Sequence, residues 1–136
     1  MLPLIVVASL VALATVLGFA HRALNGRARQ LATAVDLPAD VVLGRDATLL
    51  QFSTDICSPC RATHTVLDAV ASNRDGISHV DLDLTHRPDL ASRFNILQTP
   101  TTLILDASGT VRARIGGAPK PATVLAELDR ILIPAA

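Results

Sequence analysis

The chain has 136 residues, with 12 basic and 12 acidic side chains and a formal net charge of zero. It therefore lacks the basic excess of a nucleic-acid binder, and its length holds one domain with an appendage. Two cysteines are too few for a disulfide-stapled secreted scaffold.

From Leu2 to Ala20 no side chain is charged, and Ser9, Thr15 and Gly18 are only mild interruptions. A helix over that run spans about 28 Å, close to the hydrocarbon thickness of a bilayer. A core helix would be amphipathic, whereas this run is apolar all round. Residues 2–20 are therefore expected to form a transmembrane anchor, with the lipid bilayer as their partner. The competing reading is a cleavable leader, since Gly18-Phe19-Ala20 has small residues at alternate positions. Leaders carry positive charge ahead of a shorter apolar core, and here only the amino terminus precedes the run. Arg22, Arg27 and Arg29, with His21, follow it. By the positive-inside rule they place the domain on the cytoplasmic side, with the extracytoplasmic face as the alternative.

Residues 21–39 read as a juxtamembrane linker or helix extension, closed by the turn-forming Asp36-Leu37-Pro38-Ala39-Asp40. Val41-Val42-Leu43-Gly44 is expected to be a short edge strand ending in glycine. Ala47–Ser53 is mostly apolar, the pattern of a central strand covered on both faces.

Both cysteines follow that strand, in Thr54-Asp55-Ile56-Cys57-Ser58-Pro59-Cys60-Arg61, and residues 61–73 read as a helix. A sulfur at a strand-to-helix junction meets unpaired backbone N–H groups and the positive end of the helix dipole. Those conditions lower a thiol pKa and supply a thiolate near neutral pH. The chemistry expected of Cys57 and Cys60 is thiol–disulfide exchange. A structural zinc site needs four ligands, and only His64, His79 and His86 stand available to complete one. No metal or other cofactor is assigned, and a redox-inactive or metal-handling Cys/His module remains the alternative.

Gly76 suits a helix cap, and Ile77–Leu84 alternates with strand period, Val80, Leu82 and Leu84 against Asp81 and Asp83. Pro88 opens a short helix carrying Leu90, Ala91 and Phe94 on one face. Thr101–Asp106 and Val111–Ile115 form a hairpin about Ala107-Ser108-Gly109. Residues 121–133 make a closing helix with Val124, Leu125, Leu128, Ile131 and Leu132 in a stripe. The order β-α-β-α-β-β-α gives an α/β fold, a central mixed sheet with helices on both faces. Reaction sites in such sheets lie at the carboxyl ends of strands.

With these features in order, residues 40–134 resemble the thioredoxin family. Strand-Cys57-Ser58-Pro59-Cys60-helix looks like its redox motif, Gln98-Thr99-Pro100-Thr101 like its cis-proline loop, and Gly116-Gly117 like the glycine beside its substrate groove. The anchor makes the whole chain similar to small membrane-anchored thioredoxin-like proteins of bacteria.

The resemblance implies that Cys57 forms the mixed disulfide and Cys60 resolves it. It further implies that Ser58 and Pro59 tune the thiolate, that Thr99 offers backbone to a bound peptide, and that Pro100 and Gly116 line the groove. The partners it implies are a protein thiol or disulfide substrate and an upstream electron donor or acceptor, met by a monomer acting chiefly as a reductant. Gln51 stands where many thioredoxins carry a buried aspartate; an amide cannot act as a general base. Asp81 replaces a frequent lysine, and Ile56 the usual tryptophan.

Overall fold

The computed structural model describes residues 1–133; Pro134, the last residue assigned to the domain from sequence, lies outside them. Helix α1 covers Leu2–Leu24 with no buried residue, about 34 Å of apolar helix at 1.5 Å per residue. Ser9 and Thr15 turn their hydroxyls back onto the carbonyls of Ile5 and Val11, so neither exposes an unpaired donor.

Five strands form one sheet: β1 (Ala28–Ala34), β2 (Ala47–Ser53), β3 (Ile77–Asp83), β4 (Thr101–Asp106) and β5 (Thr110–Gly116), in the order β1-β5-β4-β2-β3. β2 runs parallel to β3 and antiparallel to β4, and the remaining pairs are antiparallel. Helices α2 (Ser58–Ser72), α3 (Pro88–Arg93) and α4 (Pro121–Leu132) complete the domain. This is the mixed sheet with helices on both faces that the element order predicts.

Every residue of β2 is buried, because its two sets of side chains feed two separate cores. Ala47 and Leu49 pack with Leu67 and Val70 of α2 and Val124 and Leu128 of α4. Leu50 and Phe52 face the other way, toward Leu82, Leu90 and Phe94. Phe52 and Phe94 meet with ring centroids 5.1 Å apart. Gln51 lies on the α2 side, a polar residue set in an apolar row.

Two local readings change. Residues 28–34, which read as linker in the sequence, form β1 and extend the sheet beyond β5. The weak alternation of that stretch hides the reason. Leu31 and Val35 pack against one core, while Gln30 reaches the other face and donates to the buried carboxylate of Glu127. Residues 41–44 form no strand. Gly44 is instead folded tightly against the start of β2, its N–H donated to Thr48 Oγ1 at 2.9 Å. A Cβ there would stand 2.8 Å from both Gly76 O and Ser78 N, so no larger residue fits.

Candidate redox site

Cys57 is the N-cap of α2, with extended backbone (φ −110°, ψ 97°). The helix therefore begins at Ser58, three residues earlier than the pattern of apolar positions suggests. Pro59 occupies its first turn, where a missing N–H costs nothing because that group has no helical acceptor. Cys57 donates its N–H to Thr54 O and accepts one from Cys60 N–H at 3.1 Å. This turn brings the two sulfurs together in a disulfide, with Cα atoms 5.2 Å apart. Cys57 is half-buried, Ser58 and Pro59 are exposed, and Cys60 is only 4% exposed. One sulfur of the pair is thus reachable from solvent and the other is screened.

A cleft of about 500 Å³ opens beside the disulfide, lined by both cysteines with Arg61, His64, Asp81 and Asp83. Asp81 accepts the hydroxyl of Ser53. Asp83 accepts the hydroxyl and then the N–H of Thr85, which together hold its carboxyl below the usual range. Three acidic groups, counting Asp55, share this rim with Arg61.

The sheet register sets the opposite wall. Phe52 pairs with Thr101, and Thr101 pairs with Gly116. Pro100 therefore stands at the same end of the sheet as the cysteine loop. The Thr99–Pro100 peptide bond is cis; Pro100 is buried and Thr99 half-buried. Gly117 N–H donates to Pro100 O at 2.8 Å, tying this loop to the end of β5. A side chain at Gly116 would collide with the Gln98 amide.

Beneath the cysteines, Gln51 Nε2 donates to Cys60 O at 2.9 Å. Its other end meets His79 of β3, whose Nε2 lies 3.1 Å from Gln51 Oε1. The His79 side chain is 4% exposed, with Asp68 Oδ1 3.9 Å from its Nδ1. The ring of His64 stands edge-on to it at 4.7 Å. Burial, followed by the proximity of His64, pushes the His79 pKa below its ordinary value of 6.5, against the pull of Asp81 and Asp68.

Sequence alone offers His79 only as a possible metal ligand; here it supports Gln51. Its signal is the parity of β3: with Ile77 it points to the α2 face, opposite Val80 and Leu82. A histidine on a covered face needs a polar partner, and Gln51 is the polar residue near it on β2. His86 is exposed after β3. Among the described residues no three His, Cys, Asp or Glu side chains gather into a metal-binding group.

Comparison with known proteins agrees with this geometry. The family model described as Thioredoxin matches residues 32–130. Thioredoxin from Mycobacterium bovis is 31% identical over 101 residues, which cover 74% of this chain and 86% of that one. Thioredoxin from Synechocystis is 29% identical over 94 residues, 68% of this chain and 87% of the relative. A bifunctional thioredoxin reductase/thioredoxin from Mycobacterium leprae is 30% identical over 95 residues, 69% of this chain but only 20% of the relative. Among solved structures, a mutant thioredoxin from Halobacterium salinarum superposes with a TM-score of 0.60 at 17% identity, covering 68% of this chain and 80% of that one. The Cys57–Cys60 pair at the head of α2 is the site of a thiol–disulfide oxidoreductase, and the chain belongs to the thioredoxin family.

Proposed function

We propose that the protein is a membrane-tethered oxidoreductase that reduces protein disulfides, with Cys57 as the exchanging thiol and Cys60 as the resolving one. The observation that carries this reading is the asymmetry of the pair: Cys57 is half-buried at a helix N-terminus and Cys60 is screened beneath it. The Cys57 thiolate attacks a substrate disulfide, and the departing substrate sulfur takes up a proton. Cys60, deprotonated, then attacks the Cys57 sulfur and releases the second substrate thiol. Two electrons pass from the dithiol to the substrate, leaving the Cys57–Cys60 disulfide for an upstream reductase to reopen. In this scheme Ser58 and Pro59 constrain the loop, Thr99 presents backbone to the bound chain, and Pro100 and Gly116 wall the groove.

The apolar α1 supports the tether, and Arg22, Arg27 and Arg29 support a cytoplasmic domain. The protein acts as a monomer in this reading. Cys60→Ser should accumulate a covalent complex with its substrate, while Cys57→Ser should form none. Recovery of no mixed disulfide from the Cys60→Ser protein in cells would reject turnover of protein substrates. A C-terminal alkaline phosphatase fusion tests the side: activity at the extracytoplasmic face would reverse the assignment.

A further inference from the structure

The chain leaves the anchor at the same end of the sheet as the redox site. Between Leu24, the last residue of α1, and Ala28, the first of β1, lie only Asn25, Gly26 and Arg27, a reach of at most about 14 Å from Leu24 to Ala28. Nor is that span loose. Gly26 N–H donates to Gly116 O at 2.8 Å, and the next residue, Gly117, donates to Pro100 O at 2.8 Å. Gly26 has φ +76°, and a Cβ on it would stand 2.7 Å from Ala118 O. The hinge is therefore pressed onto the loop that borders the proline wall. Ala28 pairs with Ile115, Gly116 with Thr101, and Thr101 with Phe52. From the start of β1 to the end of β2 there are three inter-strand steps, about 14 Å.

The side chains at that end fit a membrane-facing position. Among the described residues after the anchor, the two most exposed large apolar side chains are Ile56, at 99%, and Leu97, at 87%. One precedes Cys57 and the other precedes the Gln98–Pro100 loop. Apolar side chains at this end suit contact with an interfacial surface.

We infer that the dithiol is held at the bilayer surface and that its partner is an integral membrane protein presenting a cysteine pair at headgroup level. The inference rests on the reading of α1 as an anchor and of Cys57–Cys60 as an exchange site. A domain on a long flexible tether would sample soluble disulfides in all directions. This one joins its anchor through three residues bonded to its active end, so partners at the membrane plane are favoured by proximity and orientation.

The test uses the full chain, reduced with dithiothreitol and freed of it, in phosphatidylcholine vesicles. A minor fraction of phosphatidylethanolamine carries a pyridyl disulfide on its headgroup. Cys57 thiolate attacks that disulfide and expels pyridine-2-thione, leaving a lipid–Cys57 mixed disulfide. Cys60 then attacks Cys57 and expels the lipid thiol, so the dithiol is oxidised and the probe is reduced to two thiols.

A comparison variant carries a flexible Gly/Ser insertion of about twenty residues between Leu24 and Asn25, with a root-mean-square reach of about 25 Å. The native chain should release pyridine-2-thione from the lipid probe on the order of tenfold faster than the insertion variant. Both should consume soluble dipyridyl disulfide at one rate, which also shows that the variant is folded. Equal rates on the lipid probe, with equal rates on the soluble one, would overturn the inference. A chain that does not float with the vesicles overturns the anchor reading and this inference with it. One that floats but reacts with neither probe overturns the exchange reading instead. As a second readout, Cys57 in the Cys60→Ser protein is labelled with bimane. Nitroxide headgroups should quench it strongly in the native-length chain and weakly after the insertion; equal weak quenching contradicts the inference.

Discussion

His79 Nε2 lies 3.1 Å from Gln51 Oε1, and the carbonyl of Cys60 above them fixes the direction of both hydrogen bonds. Cys60 O can only accept, so the Gln51 group facing it is the NH₂. Gln51 Oε1 can only accept in turn, so His79 carries a proton on Nε2 in both its neutral and its charged form. The remaining nitrogen, Nδ1, faces Asp68. Where many thioredoxins keep a carboxylate, this chain has an amide that supports the backbone of the resolving cysteine and is itself held by a histidine.

Gln51→Leu keeps the shape of the site but strips both bonds. Cys60 O keeps its place in the α2 ladder, but His79 Nε2–H would be buried without its partner. An unpaired buried group of this kind costs about 1–3 kcal/mol. Urea denaturation should show a stability loss of about that size, with the m-value unchanged. A loss below about half a kcal/mol would mean that water replaces the amide.

His79 makes stability depend on pH in a defined direction. Its folded pKa lies below the ordinary 6.5 through burial and then through His64, so the unfolded chain binds the proton more readily. Stability is therefore full above the unfolded value and falls as pH drops below about 6.5 toward the folded value. Asp68 and Asp81, which face the ring, pull the other way and limit the effect. Urea midpoints measured from neutral pH to about pH 5 should decline. The decline should be shallower in His79→Gln, which keeps a donor for Gln51 but cannot titrate. An equal slope in both proteins would assign it to other groups.

Gly44→Ala should be among the more damaging small substitutions in the chain. The added methyl meets backbone atoms of Ala47, Gly76 and Ser78, none of which can swing aside as a side chain would. A loss of about 2–3 kcal/mol is expected, read as a lowered urea midpoint. An effect near zero would show that the 41–46 loop can shift freely.

Much of this was legible in the residues. The central strand, the cysteine turn and the Thr99–Pro100 loop declare themselves through short apolar runs bounded by Cys, Pro and Gly. β1 did not, because a strand of Ala, Arg, Gln, Leu and Thr has no strong period, and its place in the sheet depends on pairing with β5 and on Glu127, 97 residues beyond Gln30. Nor did the start of α2, since the apolar positions place the helix from residue 61 and only the cap at Cys57 shows that it begins at Ser58. The support from His79 to Gln51 depends on strand register, which no local pattern carries.

Deletions test the role of β1. Removing residues 1–27 leaves the strand and should give a folded domain. Removing residues 1–36 strips β5 of its neighbour and leaves the buried Glu127 without Gln30. That shorter protein should be less stable by several kcal/mol, or aggregate through its open strand edge. Equal urea midpoints for the two would show that β1 is dispensable.

The central claim is that Cys57 and Cys60 cycle between dithiol and disulfide. Intact-mass analysis after alkylation, across a series of reduced-to-oxidised dithiothreitol ratios, tests it most directly. The account predicts one two-electron transition, with both cysteines alkylated at the reducing end and neither at the oxidising end. Two cysteines that stay alkylatable at every ratio, or that lose reactivity independently of each other, would contradict it.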